Sequence, residues 1–217
     1  MSIIDLGKQS LIYGAGHVLA RLITFLLLPL YTHTFTQEEY GALSLAYAFM
    51  GFALILYRYG MDTAMMKYSV QKQGPERKKY ITLIIVTQFI TSFLFTFIIY
   101  FTRLSTAEYV LGTYRPDWIS YLAVILFFDA LWNLPLLILR SEEKAIPYIL
   151  LSLLNVILTM ALNIMFVVYW EQGIEGVFRA NIIASAFIFL VSLPIVIKRV
   201  VFDFFEKDIF FKVIQFS

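Results

Sequence analysis

The stretch WISYLAVILFFDALWNLPLLIL, residues 118–139, contains one charged side chain, Asp129, near its middle. A helix rises about 1.5 Å per residue, so a helix of this length crosses the roughly 30 Å hydrocarbon layer of a bilayer. The apolar residues do not alternate with the period of two that a half-buried strand requires. The stretch therefore predicts a membrane-spanning helix.

Further apolar runs of similar length lie on both sides of this stretch. Together they predict six spans, at residues 11–31, 40–57, 80–101, 118–139, 146–170 and 174–197. The composition agrees, because 60% of the 217 residues are hydrophobic and only 15% are charged, against roughly 25% charged in an average soluble domain. We therefore predict an all-α integral membrane protein, a six-transmembrane-helix bundle. A soluble enzyme, a disordered chain, a nucleic-acid-binding domain and a disulfide-rich secreted scaffold are excluded.

The distribution of basic residues predicts the orientation. Thirteen of the 17 Lys and Arg residues fall in the N-terminal tail, the second and fourth loops and the C-terminal tail. Arg103 and Arg115 lie on the other side, and Arg21 and Arg179 lie within spans. Because basic residues beside spans stay cytoplasmic, both termini are predicted to be cytoplasmic in a multi-pass protein of the cytoplasmic membrane.

The C-terminal residues 200–217 have a different pattern from the spans. Apolar residues recur there at helical spacing between charged ones, namely Phe202, Phe205, Ile209, Val213 and Phe216. Such a pattern is typical of an amphipathic helix on the membrane surface. We predict a bundle formed by residues 1–199, followed by an interfacial linker that leads towards a second bundle.

Ionisable residues inside predicted spans are costly and mark candidate sites. Arg21 lies near the middle of the first span, with His17 four residues earlier on the same helical face. This pair predicts a cavity wall, unless Arg21 instead pairs with an acid and locks two helices together. Asp129 either neutralises Arg21 or acts as a coupling site for protons or cations. The amides of the spans, including Asn155, predict interhelical hydrogen bonds.

Two further arginines lie towards the ends of spans. Arg58 follows the second span, in RYGMDTA at residues 58–64, and is predicted at the inner headgroup level. A guanidinium there can bind phosphate oxygens in a forked geometry, or it can simply be a basic residue that anchors the helix end. Asp62, four residues later, can pair with Arg58. Arg179 is predicted near the outer end of the last span.

Motifs for enzymatic chemistry are missing from the sequence. It contains no Walker loop, no HExxH motif, and no cluster of cysteine and histidine with ligand spacing. No pair of carboxylates sits at a predicted span end in the manner of a membrane glycosyltransferase. We therefore expect neither a cofactor nor a metal, and no catalytic activity.

Four segments carry a resemblance to a known family: KQSLIYG at 8–14, RLITFLLLPLYT at 21–32, EYG at 39–41, and RYGMDTA at 58–64. They resemble the N-terminal region of the polysaccharide or O-antigen flippases, within the multidrug/oligosaccharidyl-lipid/polysaccharide exporter superfamily. The resemblance implies two six-helix bundles around a central cavity. It also implies translocation of an undecaprenyl-pyrophosphate-linked oligosaccharide by alternating access.

On this resemblance the chain is the N-terminal half of such a transporter. Its expected partners are the bilayer, the lipid-linked substrate, and either a second six-helix half or a second copy. Arg58, Arg21 and Arg179 would then line the cavity at successive depths. The alternatives are a cation-coupled antiporter of small molecules, with Asp129 as the coupling residue, a membrane enzyme that acts on lipid-linked substrates, and a non-catalytic scaffold.

Overall fold

The computed structural model describes residues 25–112 and 114–216, preceded by the isolated residues 14, 18, 19 and 22. The main helices are α1 Leu27–Thr34, α2 Gln37–Arg58, α3 Met61–Gln71, α4 Gly74–Phe101, α5 Pro116–Ser141, α6 Ala145–Asn163, α7 Gly173–Ile197 and α8 Lys207–Phe216. Shorter helical segments lie between them, namely Arg103–Thr106 and the π-helical turns Ala107–Leu111 and Ile164–Tyr169. Over these described residues the protein is helical and contains no strand.

Five of these helices are long and apolar enough to cross a bilayer. They are α2, α4, α5, α7, and α6 together with the π-helical turn that extends it to Tyr169. The five coincide with the second to sixth predicted spans, and the all-α membrane architecture is confirmed. Most of the first predicted span, 11–31, lies outside the described residues, which include only its end in α1.

Helix α5 is the centre of the bundle. It packs against α2, α3, α4, α6 and α7, and it has the largest buried share of the five spans. Because α5 is surrounded, the polar side chains it carries, Asp129 and Asn133, must find partners on neighbouring helices or face a cavity. This position makes α5 the scaffold of the candidate site.

Local backbone signals define both ends of α2. At its start Thr36 and Glu39 form a capping box, with Glu39 N donating to Thr36 Oγ1 at 3.3 Å and Thr36 N donating to Glu39 Oε2 at 2.9 Å. At its end Tyr59 (φ 25°) and Gly60 (φ 85°) adopt left-handed conformations. This break separates α2 from α3, so Arg58 and Asp62 lie on different helices although they are four residues apart.

The end of the bundle that carries most of the basic residues is here called the basic end. There Glu142, between α5 and α6, pairs with Arg77 at 3.1 Å and with Lys144 at 2.9 Å. Glu142 also pairs with Arg199, whose Nε lies at 2.6 Å and whose Nη2 contacts the second carboxylate oxygen. Arg77 belongs to α4 and Arg199 follows α7. One carboxylate therefore joins three parts of the bundle.

Helix α8 lies against the basic end. Ile209 and Val213 are buried in the apolar core that includes residues of α3 and α4, and Tyr68 Oη donates to the Lys212 carbonyl at 3.1 Å. The helix begins at Lys207, so the prediction of a helix from residue 200 was wrong at its start. Residues 201–206 instead run beside α4, where Val201 N donates to Thr82 Oγ1 at 3.0 Å.

Candidate functional site: a polar cluster inside the bundle

The predicted site residues fall in three places. Arg58 and Asp62 flank the break between α2 and α3, and Asp129 projects from α5. Arg179 lies on the early turns of α7, at the end opposite the basic end. His17 and Arg21 lie outside the described residues. The structure therefore bears on Arg58, Asp62, Asp129 and Arg179 only.

Arg58 and Asp62 form an ion pair, with 3.4 Å between Arg58 Nη1 and Asp62 Oδ2. The other oxygen, Asp62 Oδ1, accepts a hydrogen bond from Asn133 Nδ2 at 2.9 Å. Arg58 Nε is buried and donates to none of the described residues. The side chains of Arg58 and Asp62 are 32% and 31% exposed. The guanidinium is thus held in place by Asp62, while about a third of the Arg58 side chain stays exposed to a ligand.

Asp129 lies one turn before Asn133 on α5, on the same helical face. Its Oδ1 accepts hydrogen bonds from Ser185 Oγ on α7 at 2.6 Å and from Trp132 Nε1 at 3.0 Å. Asn133, on the same face, donates to Asp62, which pairs with Arg58. Helices α2, α3, α5 and α7 therefore contribute to one polar cluster, defined as Arg58, Asp62, Asp129, Trp132, Asn133 and Ser185.

Arg179 has a different environment from the polar cluster. Its Nη1 donates to Gln172 Oε1 at 3.0 Å, and its Nη2 lies 3.3 Å from Glu175 Oε2. The side chain is 44% exposed. The structure therefore does not bring Arg179 together with Arg58, and the expectation that they face one space stays a prediction.

Sequence reasoning missed three members of the cluster. Asn133 had an available signal, because it lies four residues after Asp129 and so shares the face of that residue. Trp132 is an aromatic residue within an apolar span, and its sequence position alone does not distinguish it from a core residue. Ser185 is one of several serines in the spans, and only the packing of α7 on α5 singles it out.

The polar cluster combines one cation with two carboxylates at a half-exposed surface of apolar helices. Arg58 can bind an anionic oxygen while Asp62 keeps it oriented, and Asp129 can bind a cation or a proton. Among the described residues no group of three histidine or acidic side chains could hold a metal ion. The arrangement is suited to ligand binding and charge exchange.

Apolar spans packed around a central helix, with a charged cluster in the interior, define a multi-pass helical membrane protein. The family described as Polysaccharide biosynthesis protein matches residues 6–217, and the chain belongs to this family. A relative named as an uncharacterized membrane protein of Haemophilus influenzae is 26% identical over 216 residues. The match covers 97% of this chain and 50% of the relative, so the chain spans about half the length of that protein. No solved structure matches the chain.

Proposed function

We propose that this chain forms one wall of a transporter that moves an undecaprenyl-pyrophosphate-linked oligosaccharide across the cytoplasmic membrane. The other wall is a second six-helix half or a second copy of the chain. Transport proceeds by alternating access, in which two bundles rock about a central cavity. The proposal assigns no catalytic step to the protein. Membership of the polysaccharide biosynthesis family supports it.

The observation that carries the proposal is the partly exposed side chain of Arg58, which Asp62 holds in position. A pyrophosphate must pass through hydrocarbon, where an unpaired charge costs several kcal/mol or more. Arg58 supplies a guanidinium on a side chain that is 32% exposed and paired with Asp62 through Nη1. Asp62 and Asn133 orient that group. An arginine that is already oriented binds phosphate oxygens with little further ordering.

The experiment compares Arg58→Gln, Arg58→Lys and unaltered protein in cells that depend on this gene for surface polysaccharide. We expect Arg58→Gln to lower export by at least about tenfold, since a charge-assisted hydrogen bond is worth about 1.5–3 kcal/mol. Arg58→Lys should retain part of the activity, because lysine keeps the charge but loses the forked geometry. The readouts are surface polymer and lipid-linked oligosaccharide accumulated in the inner membrane.

The matched control is Arg115→Gln. Arg115 is exposed at the end opposite the basic end, where its guanidinium lies 5.6 Å from the ring of Trp118. This variant should export polymer normally at equal membrane abundance. Normal export by Arg58→Gln would overturn the role of Arg58 and remove the main structural support for the proposal.

A second candidate is a cation-coupled antiporter of small molecules. It is favoured by Asp129, which receives hydrogen bonds from two neutral donors and forms no ion pair within 4.0 Å among the described residues. In proteoliposomes this candidate predicts solute efflux driven by a cation gradient, lost in Asp129→Asn and retained in Arg58→Gln. The lipid-linked substrate proposal predicts the loss of transport in Arg58→Gln.

A further inference from the structure

A second site lies within the bundle, away from the polar cluster and towards the end opposite the basic end. It is a partly open cavity of about 440 Å³ lined by residues of α1, α2, α6 and α7. The residues that matter for its chemistry are Tyr31, Tyr40, Tyr47, Asn155, Thr159 and Asn181. We call this cavity the tyrosine chamber. Its volume lies within the roughly 300–1,000 Å³ typical of small-molecule sites.

Two hydrogen bonds hold the tyrosines of the chamber in place. Tyr31 Oη donates to Asn163 Oδ1 at 2.9 Å, and Asn181 Nδ2 donates to Tyr47 Oη at 3.1 Å. The two aromatic rings are therefore held in position by hydrogen bonds that join α1 to α6 and α2 to α7.

Asn155 differs from the other amides. It was expected to form an interhelical hydrogen bond, yet its side chain bonds to none of the described residues although it lines the chamber. The side chain is half-buried on α6. An amide offers both a donor and an acceptor, and at Asn155 neither is used by a described residue. Asn155 is therefore the group that a bound ligand would satisfy.

The described residues that line the chamber include no charged side chain. An anion or a cation would be desolvated there without a partner, which is costly. A hydrocarbon chain would leave the amide and the hydroxyl groups unsatisfied. A sugar ring matches the lining, because its hydroxyl edge can bond to amides and phenols while its C–H face packs on an aromatic ring.

We propose that the tyrosine chamber binds one neutral sugar unit of the glycan, with Asn155 as the hydrogen-bonding group that a ligand satisfies. This inference rests on the proposed function, because it assigns a place to the sugar part of that substrate. The chamber lies away from Arg58, so the pyrophosphate and the sugar unit are recognised by different residues. Exposed Ser44 and half-buried Tyr40 and Tyr47 leave the chamber accessible from outside the bundle.

The test is saturation-transfer NMR on the purified protein with galactose, rhamnose and N-acetylglucosamine as separate probes. The detergent must carry no sugar headgroup, so an amine oxide is used. We expect transfer from the protein to at least one sugar and a reduction of at least about fivefold in Asn155→Leu, which loses the amide but keeps a similar volume. Ser152→Ala is the matched control on α6, because its hydroxyl only bonds to the Tyr148 carbonyl at 2.9 Å.

The outcomes separate this inference from the proposed function. No transfer to any of the sugars, equal transfer in Asn155→Leu, or transfer to the isoprenoid alcohol geraniol in place of sugars would overturn the chamber assignment. None of these results changes the export defect expected for Arg58→Gln. Conversely, normal export by Arg58→Gln would count against the transport proposal, whatever sugar binding is measured. Thermal unfolding of each variant shows that it is folded.

Discussion

Glu142 joins three segments of the chain at the basic end through ion pairs. Its carboxylate pairs with Arg77, Lys144 and Arg199, which come from the start of α4, the loop before α6 and the segment after α7. The hydrogen bonds from Arg199, with help from Lys144 and Arg77, lower the pKa of Glu142 from 4.5 to about 2. The ionised form is thus favoured in the folded protein.

This lowered pKa predicts a pH dependence of stability. A carboxyl with a lower pKa in the folded state stabilises the fold above its unfolded pKa, and that stabilisation is lost as the pH falls through the folded value. For Glu142 the loss runs from about pH 4.5 to about pH 2. We expect Glu142→Gln to lower the free energy of unfolding at pH 7 by on the order of 1 kcal/mol, because solvent screens part of the interaction.

The measurement is the difference in thermal unfolding midpoint between unaltered protein and Glu142→Gln in detergent. This difference should shrink as the pH is lowered from 7 to 3. Glu143→Gln serves as the control, because Glu143 is exposed and forms no ion pair with a described residue. A difference that stays constant down to pH 3 would contradict the assigned role of Glu142.

Sequence spacing predicted part of the polar cluster. The interval from Arg58 to Asp62 indicated the ion pair correctly, although the pair forms across a backbone break and not along one helix. The partners of Asp129 could not be predicted in full. Ser185 lies 56 residues away along the chain, and its contact depends on the rotation and crossing of α7 on α5.

Helix α7 packs closely against the end of α6 at Gly176. A Cβ atom at position 176 would lie 3.2 Å from the carbonyl carbon of Phe166 and 3.0 Å from the Cβ of Gln172. Phe166 belongs to the π-helical turn Ile164–Tyr169. Because one of these neighbours is a backbone atom, the contact cannot be relieved by a change of rotamer.

Gly176→Ala should therefore destabilise the protein by about 1–3 kcal/mol, the range for overpacking a close contact. The control is Gly41→Ala on α2, where a Cβ meets nothing within 4 Å. That substitution should be neutral or stabilising by about 0.5–1 kcal/mol, because alanine favours a helix interior. Thermal unfolding followed by circular dichroism measures both variants. Equal midpoints for the two would show that α7 has room to move away from the π-helical turn.

Element positions were largely predictable, because the length of an apolar run and a capping box are local signals. The second to sixth spans agree with the observed helices to within a few residues at most ends. The start of α4 is the largest difference, since it begins at Gly74 and not near residue 80. Residues 74–79 are polar and helical, so hydropathy alone marks where the membrane begins and not where the helix begins.

For the whole molecule, the basic residues predict which end faces the cytoplasm. The chain contains no cysteine, so a single introduced cysteine reports on one position. Glu38 is exposed at the end opposite the basic end, and Lys207 is exposed at the basic end. We expect a membrane-impermeant maleimide to label Glu38→Cys in intact spheroplasts and to label Lys207→Cys only after the membrane is opened.

The control for this labelling is the cysteine-free protein, which should remain unlabelled in both conditions. Labelling of Lys207→Cys in intact spheroplasts would reverse the predicted topology. It would also move the polar cluster, which lies near the break between α2 and α3, towards the outer leaflet. The prediction that Arg58 lies at the inner headgroup level would then have to be abandoned.

The central place of α5 also constrains how the protein is made. Helices enter the membrane in chain order, and Asp129 of α5 is synthesised before Ser185 of α7, its hydrogen-bond donor. Until α7 arrives, the hydrogen-bond donor that the described residues offer this carboxylate is Trp132 of its own helix. Because an ionisable side chain such as Asp129 is costly in lipid, we expect α5 to stay beside the insertion machinery until α7 arrives. Assembly of the bundle is thus completed by its last span.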